Sequence, residues 1–207
     1  MSEKKSKGQE RYDALAYEKK NYFETASEEE RRVMFAYAEG YKAFLNEAKT
    51  EREACAAAVR MARERGFTEY RFGDSLAAGE KKYFVNRGKS VVVFRVGTRN
   101  LEEDGLRIIA SHIDAPRVDV KQNPLYEEAG MCFLKTHYYG GLKKYQWTAI
   151  PLALHGVVVR KDGSKVELRV GEAPDDPVFY IDDLLPHLGS EQMAGKAAKL
   201  IEGELLN

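Results

Sequence analysis

Apolar positions along this chain follow two regimes, one with the period of a helix and one with the period of a strand. From Ser27 onward, Met34, Tyr37, Ala38, Tyr41, Phe44, Leu45 and Ala48 recur at helical spacing with charged residues opposite. The stretch "SEEE" offers Ser27 as N-cap and Glu30 as its capping-box partner. A second helix starts likewise with Thr50 and Glu53, runs through "ACAAAVRMARER" and stops at Gly66, a residue type that closes helices in the left-handed conformation. The pattern predicts two amphipathic helices packed on a sheet. Residues 1 to about 20 read as a polar, mobile lead-in.

Strand patterning follows. "KKYFVN" and "SVVVFRV", separated by "RGK", predict a hairpin. The unbroken apolar middle of "LRIIASH" predicts a strand covered on both faces. Helices followed by central strands point to an α/β layer. Beyond Pro116 the helix period is absent. Alternating segments surround Asp162-Gly163, a strong hairpin signal between "HGVVVRK" and "SKVELRV". A boundary therefore falls near residue 118, with residues 1–117 an α/β part and residues 118–207 a β-rich part. "PDDPVFYIDDLLPHL" reads as a loop into a short element, and a further helix starts at Ser190.

Composition narrows the function classes. Lys+Arg and Asp+Glu both number 33, so no overall positive field favours nucleic acid. No apolar run reaches the length of a bilayer span or forms the core of a signal peptide. Cys55 and Cys132 lie far apart in unrelated contexts and read as ordinary thiols in a reducing compartment. The expectation is a cytoplasmic protein without nucleic-acid or membrane partners. Nucleotide-binding glycine loops and a serine-hydrolase elbow are both missing.

The candidate chemistry lies in "GLRIIASHIDAPRVDV", where His112 and Asp114 follow the apolar run. On an extended chain alternate side chains share a face, so Asp114 can hold the His112 ring while the ring binds a cation. That is the site which open α/β sheets favour, at the carboxyl end of a strand. Taken alone the pair is weak evidence, since a catalytic zinc needs about three protein ligands. His137 and His155 read as hydrogen-bonded strand residues. His187, after Pro186 and beside "IDD", reads locally as a capping or surface residue. Trp147, Tyr138, Tyr139 and Tyr145 could line a pocket, although aromatics in a β-unit more often form core or interface.

Three separated stretches, "ASHIDAPRVDVKQNPLYE", "LKTHYYGGLKKYQWTAIPLALHGVVV" and "YIDDLLPHL", together resemble the M18 metallo-aminopeptidases in matching order. The likeness covers most of the chain from about residue 10. It implies an α/β zinc-aminopeptidase catalytic domain, represented by residues 1–117, and an inserted β-rich oligomerisation domain, begun by residues 118–207. It implies removal of N-terminal residues from peptides by water activated between two divalent metal ions, zinc by family. By the resemblance, His112 is a metal ligand. Asp114, counted with the catalytic groups, fixes that ring, and His187 binds substrate in a neighbouring subunit's active site. The expected assembly is a homo-oligomer, by the resemblance a dodecamer built from dimers. The family's general-base glutamate and remaining ligands follow the inserted domain and have no match here. The expectation is thus an N-terminal portion, inactive by itself. The alternative is a non-catalytic remnant that acts only through oligomerisation.

Overall fold

Local hydrogen bonds explain where the helices begin. In the computed structural model, which describes residues 6–17 and 19–207, Ser6 Oγ accepts from Gln9 N at 3.3 Å and opens α1 (Lys7–Leu15). The reading of residues 1 to 20 as a mobile lead-in falls partly outside the described residues, and its middle is this helix. Asn21 caps the single turn α2 (Tyr22–Thr25). The capping box at α3 (Glu28–Glu47) is formed as predicted. Ser27 N donates to Glu30 Oε2 at 2.8 Å, and Glu30 N donates to Ser27 Oγ at 3.3 Å.

Two compact units divide the chain, Met1–Phe44 and Leu45–Asn207. The first holds α1, α2 and most of α3. None of the residues of α3 is buried, and Tyr37 and Tyr41 of its predicted apolar stripe are exposed. Periodicity formed the helix. Burial of its face, which needs a partner surface, did not follow.

The second unit begins with α4 (Glu51–Glu64). Thr50 Oγ1 accepts from Glu53 N at 3.3 Å at its start. At its end Gly66, at φ +80°, lets Gly66 N reach Arg63 O at 2.9 Å and Phe67 N reach Ala62 O at 3.0 Å. Here the predicted packing on a sheet holds. Ala54, Cys55, Ala57 and Ala62 are buried, and Arg63 Nε donates to the hydroxyl of buried Tyr83 at 2.8 Å. Tyr83 lies on β2 (Lys81–Asn86), between the short parallel β1 (Thr68–Glu69) and antiparallel β3 (Ser90–Arg95). The β2–β3 hairpin turns through Arg87 and Gly88, both at positive φ.

After the single turn α5 (Leu101–Asp104) comes the main correction. Residues 105–116 carry no regular secondary structure, and Ile108 and Ile109 are 76% and 100% exposed. The predicted central strand is absent because no neighbouring strand hydrogen-bonds to it among the described residues. An apolar run supplies propensity, but a strand also needs a ladder partner.

Two hairpins follow. β4 (Arg117–Glu128) pairs with β5 (Met131–Tyr139) through Ala129 and Gly130, both at positive φ, the geometry of a two-residue type I′ loop. The register shifts between Val120 and Leu125, a segment containing Pro124, which has no N–H to give a ladder. β6 (Leu154–Val159) pairs with β7 (Lys165–Val170) around the predicted Asp162-Gly163 turn, where Ser164 N donates to Asp162 Oδ1 at 2.9 Å. The helix expected at Ser190 is the short α6 (Ser190–Ala194). A small core of Ile181, Ile201 and Leu206, flanked by Val118, Trp147 and Leu152, ties the last residues back to the hairpins. Trp147 is thus a core aromatic. Among the described residues the architecture is mixed α/β with three small sheets.

Candidate metal-ligand site

The segment that fails to become a strand carries the predicted pair. His112 Nδ1 lies 2.8 Å from the main-chain carbonyl oxygen of Asp114 and 3.2 Å from Asp114 Oδ1. Both neighbours can only accept, so Nδ1 carries the proton and donates, and Nε2 of the neutral ring holds the lone pair. The His112 side chain is 82% exposed, which leaves Nε2 accessible. The spacing argument expected the carboxylate to hold the ring. In the structure the carbonyl is the shorter contact, and the carboxylate flanks it.

A second group reaches the same carboxylate. Tyr139, the last residue of β5, donates its hydroxyl to Asp114 Oδ2 at 2.8 Å. That bond is the main reason the Asp114 carboxyl titrates below its ordinary range, aided by its own backbone N–H and by His112, with burial opposing. The same bond and the Asp114 charge push the Tyr139 phenol up. Arg117, which faces Tyr139 across the β4–β5 ladder, stacks its guanidinium 4.2 Å from the ring centroid. It pairs with Asp119 at 2.7 Å and with Glu51 of α4 at 3.0 Å.

The other predicted residues lie apart from this pair. His187 is exposed in the turn after Pro186, and among the described residues no hydrogen bond or ion pair joins it to His112 or Asp114. The neighbouring Asp183 has a structural task. Its carboxylate accepts from Leu184 N at 2.8 Å and Gln192 Nε2 at 3.0 Å, clasping the start of α6. His155 is a hydrogen-bonded strand residue, as read from the sequence, with its ring nitrogens 3.0 Å from Glu53 and 3.0 Å from Glu172. His137 stacks on Tyr138. The sequence reading missed Tyr139 as a partner of Asp114, because only the hairpin register brings the two together.

The donor set can be tested against zinc, the metal implied above. A structural or catalytic zinc takes three or four protein ligands. Among the described residues no group of three or more His, Cys, Asp or Glu side chains is gathered to hold a metal ion. The fit therefore extends to one donor, an imidazole whose far nitrogen is oriented and open.

Comparison with known proteins decides the family. The profile of the M18 family, described as aminopeptidase I zinc metalloprotease, matches residues 44–204. The chain belongs to the M18 family. A "probable M18 family aminopeptidase 1" of Clostridium acetobutylicum is 45% identical over 197 residues, 93% of this chain and 42% of the relative. The crystal structure of an M18 aminopeptidase from Thermotoga maritima superposes with a TM-score of 0.83 at 41% identity, over 92% of this chain and 41% of that one. The mApe1 dodecamer of S. cerevisiae, 22% identical with a TM-score of 0.61 over 72% of this chain and 36% of that one, shares the fold. This M18 chain thus spans about two-fifths of the length of the relatives it matches. Among the described residues, no helix is long and apolar enough to cross a membrane.

Proposed function

We propose that this chain is the N-terminal portion of a zinc aminopeptidase that removes N-terminal residues from peptides, with His112 as a metal ligand. The observation that carries the reading is the His112 ring, with Nδ1 held by Asp114 and Nε2 open to solvent. Membership of a zinc metalloprotease family supports it. In an M18 protein of the relatives' length, the other ligands and the general base would come from outside these 207 residues. Bound zinc, as one of two divalent ions, would lower the pKa of a water and polarise the scissile carbonyl. His112 would present Nε2 to that centre, and Asp114 would hold its tautomer. Residues 118–207 would begin an inserted domain for homo-oligomer assembly, with His187 serving a neighbour's site. The exposed Leu184, Leu185 and Leu188 around His187 support a contact there. Free Cys55 and Cys132 accord with a cytoplasmic setting.

The test measures zinc content and peptide turnover in this chain and in a protein extended to the relatives' length. The expected outcome is sub-stoichiometric zinc and no turnover for the 207 residues. The extended protein should hold zinc and should lose zinc affinity on His112→Ala. Tight stoichiometric zinc and turnover by the short chain, or full zinc retention in extended His112→Ala, would overturn the assignment.

A further inference from the structure

We propose that Tyr139 is a positioning residue for His112: its hydroxyl pins the Asp114 carboxylate, and Asp114 then sets the rotation and tautomer of the ring. The proposal deepens the metal-ligand reading of His112 and rests on it for its functional meaning.

The need for such a residue follows from the fold. Residues 105–116 belong to no ladder, so the backbone that carries His112 and Asp114 lacks the constraint a strand would provide. A short aspartate side chain on such a segment has free rotamers unless something holds it. Tyr139 does so from the neighbouring hairpin. The register sets Tyr139 opposite Arg117, three residues after Asp114, and so brings a residue 25 positions away within 2.8 Å of Oδ2. With Oδ2 engaged, Oδ1 remains 3.2 Å from Nδ1 and the Asp114 carbonyl 2.8 Å from it. The carboxylate is therefore held on both sides, by a phenol and by an imidazole.

The phenol is itself secured. Arg117 lies over its ring at 4.2 Å from the centroid and is paired with Asp119 and Glu51, so the guanidinium has fixed neighbours. Arg117 also donates to the Ala115 carbonyl at 3.3 Å, a second tie on the residue after Asp114. Past Tyr139 the backbone turns at Gly140, at φ +81°, where a Cβ would lie 3.5 Å from Pro116 Cα. The positive φ suits glycine, and the close approach keeps the end of β5 against the residues that follow Asp114. The line from the α4 terminus thus runs Glu51, Arg117, Tyr139, Asp114, His112.

The test is metal-free. In the 207-residue chain with ¹⁵N-labelled histidine, the neutral His112 ring should show Nδ1–H with the lone pair on Nε2. Tyr139→Phe removes one oxygen and frees the carboxylate, and it should lower the ratio of Nδ1–H to Nε2–H about two- to threefold, less than a whole hydrogen bond because the Asp114 carbonyl still accepts from Nδ1. A merely structural tyrosine would leave that ratio alone while the β4–β5 resonances stay in place. A ratio unchanged in a folded Tyr139→Phe overturns the proposal. Should that variant fail to fold, Asp114→Ala tests the contact from the other side. The Tyr139 Cζ resonance must then move, and an unmoved resonance overturns the proposal. Because this readout needs no zinc, it is separate from the ligand assignment. Zinc retained in extended His112→Ala would remove the ligand and leave the positioning contact intact.

Discussion

His155 and His112 sit in the same unit, each beside a carboxylate, and they are held in opposite ways. His155 stands in a complete ladder, with a side chain only 11% exposed, and both of its nitrogens meet carboxylates, from α4 and from beyond β7. His112 lies on a stretch without a ladder, 82% exposed, with one nitrogen held and the other open. Of the two rings, His112 is the one with a nitrogen left exposed and unengaged, and so able to meet a cation. The lesson is that a histidine's partners, counted nitrogen by nitrogen, separate a structural ring from a candidate ligand better than its sequence surroundings do.

The largest effect is expected at Glu53, which caps α4 through Thr50, lies 3.0 Å from His155 Nδ1 and forms an ion pair with Arg169 at 3.1 Å. Glu53→Ala takes one of two carboxylates from the largely buried His155 and the ion partner from the half-exposed Arg169. It should cost roughly 3 kcal/mol, the lower end for a broken buried pair because the groups keep some solvent. Urea denaturation measures it, and a loss within about 0.5 kcal/mol would show that the pair is ornamental. The pH dependence follows from the same contacts. Burial pushes the Glu53 carboxyl up, but hydrogen bonds from His155 and Thr50, with the charges of His155 and Arg169, hold it below its ordinary 4.5. A carboxyl depressed in the folded state stabilises above the unfolded value and loses that contribution as pH falls through the folded one. The stability gap between the unaltered chain and Glu53→Gln should therefore shrink as pH falls through the acid range in which Glu53 takes up its proton.

The two regions also differ in how far their sequences could be read. Features closed within a few residues were legible: the Ser27–Glu30 and Thr50–Glu53 caps, the Gly66 stop and the Asp162-Gly163 turn all formed as their chemistry demands. The strand over "LRIIASH" was not, because a strand is a property of a pair and only one member is visible in a local pattern. The candidate site divides the same way. His-x-Asp spacing correctly joined His112 to Asp114, a contact two residues long. It could not show that the carbonyl lies nearer the ring than the carboxylate, nor that Tyr139 reaches Asp114. The latter depends on the β4–β5 register, which shifts within the ladder near Pro124. Spacing alone does not compute such a register.

A smaller effect tests whether the ordered hairpin behind His155 is as closely packed as it looks. Gly171 follows β7 at φ +101°, and a Cβ there would lie 3.0 Å from Ala153 Cα and 3.1 Å from the Leu152 carbonyl oxygen. Both neighbours are backbone, so neither can swing aside, and the conformation itself disfavours a side chain. Gly171→Ala should destabilise the chain by about 2 kcal/mol, in the range of overpacking. Thermal unfolding gives the value, and neutrality would mean that the β6–β7 region yields as readily as residues 105–116.

The smallest expected effect is the most informative about His112. Its side chain is 82% exposed, and Asp114, its hydrogen-bonding neighbour among the described residues, keeps the Tyr139 hydroxyl when the imidazole is removed. His112→Ala should therefore change the unfolding free energy by less than about 0.5 kcal/mol, as for an exposed residue with no packing role. Denaturation in urea, metal-free, measures this, because zinc would add binding energy to the folded state. A loss of about 1.5 kcal/mol or more would place the ring among structural contacts, on the same footing as His155. Near-neutrality would mean that the chain keeps an oriented imidazole, with its lone pair in the open, for no stability of its own. That is the outcome the proposed ligand role of His112 predicts.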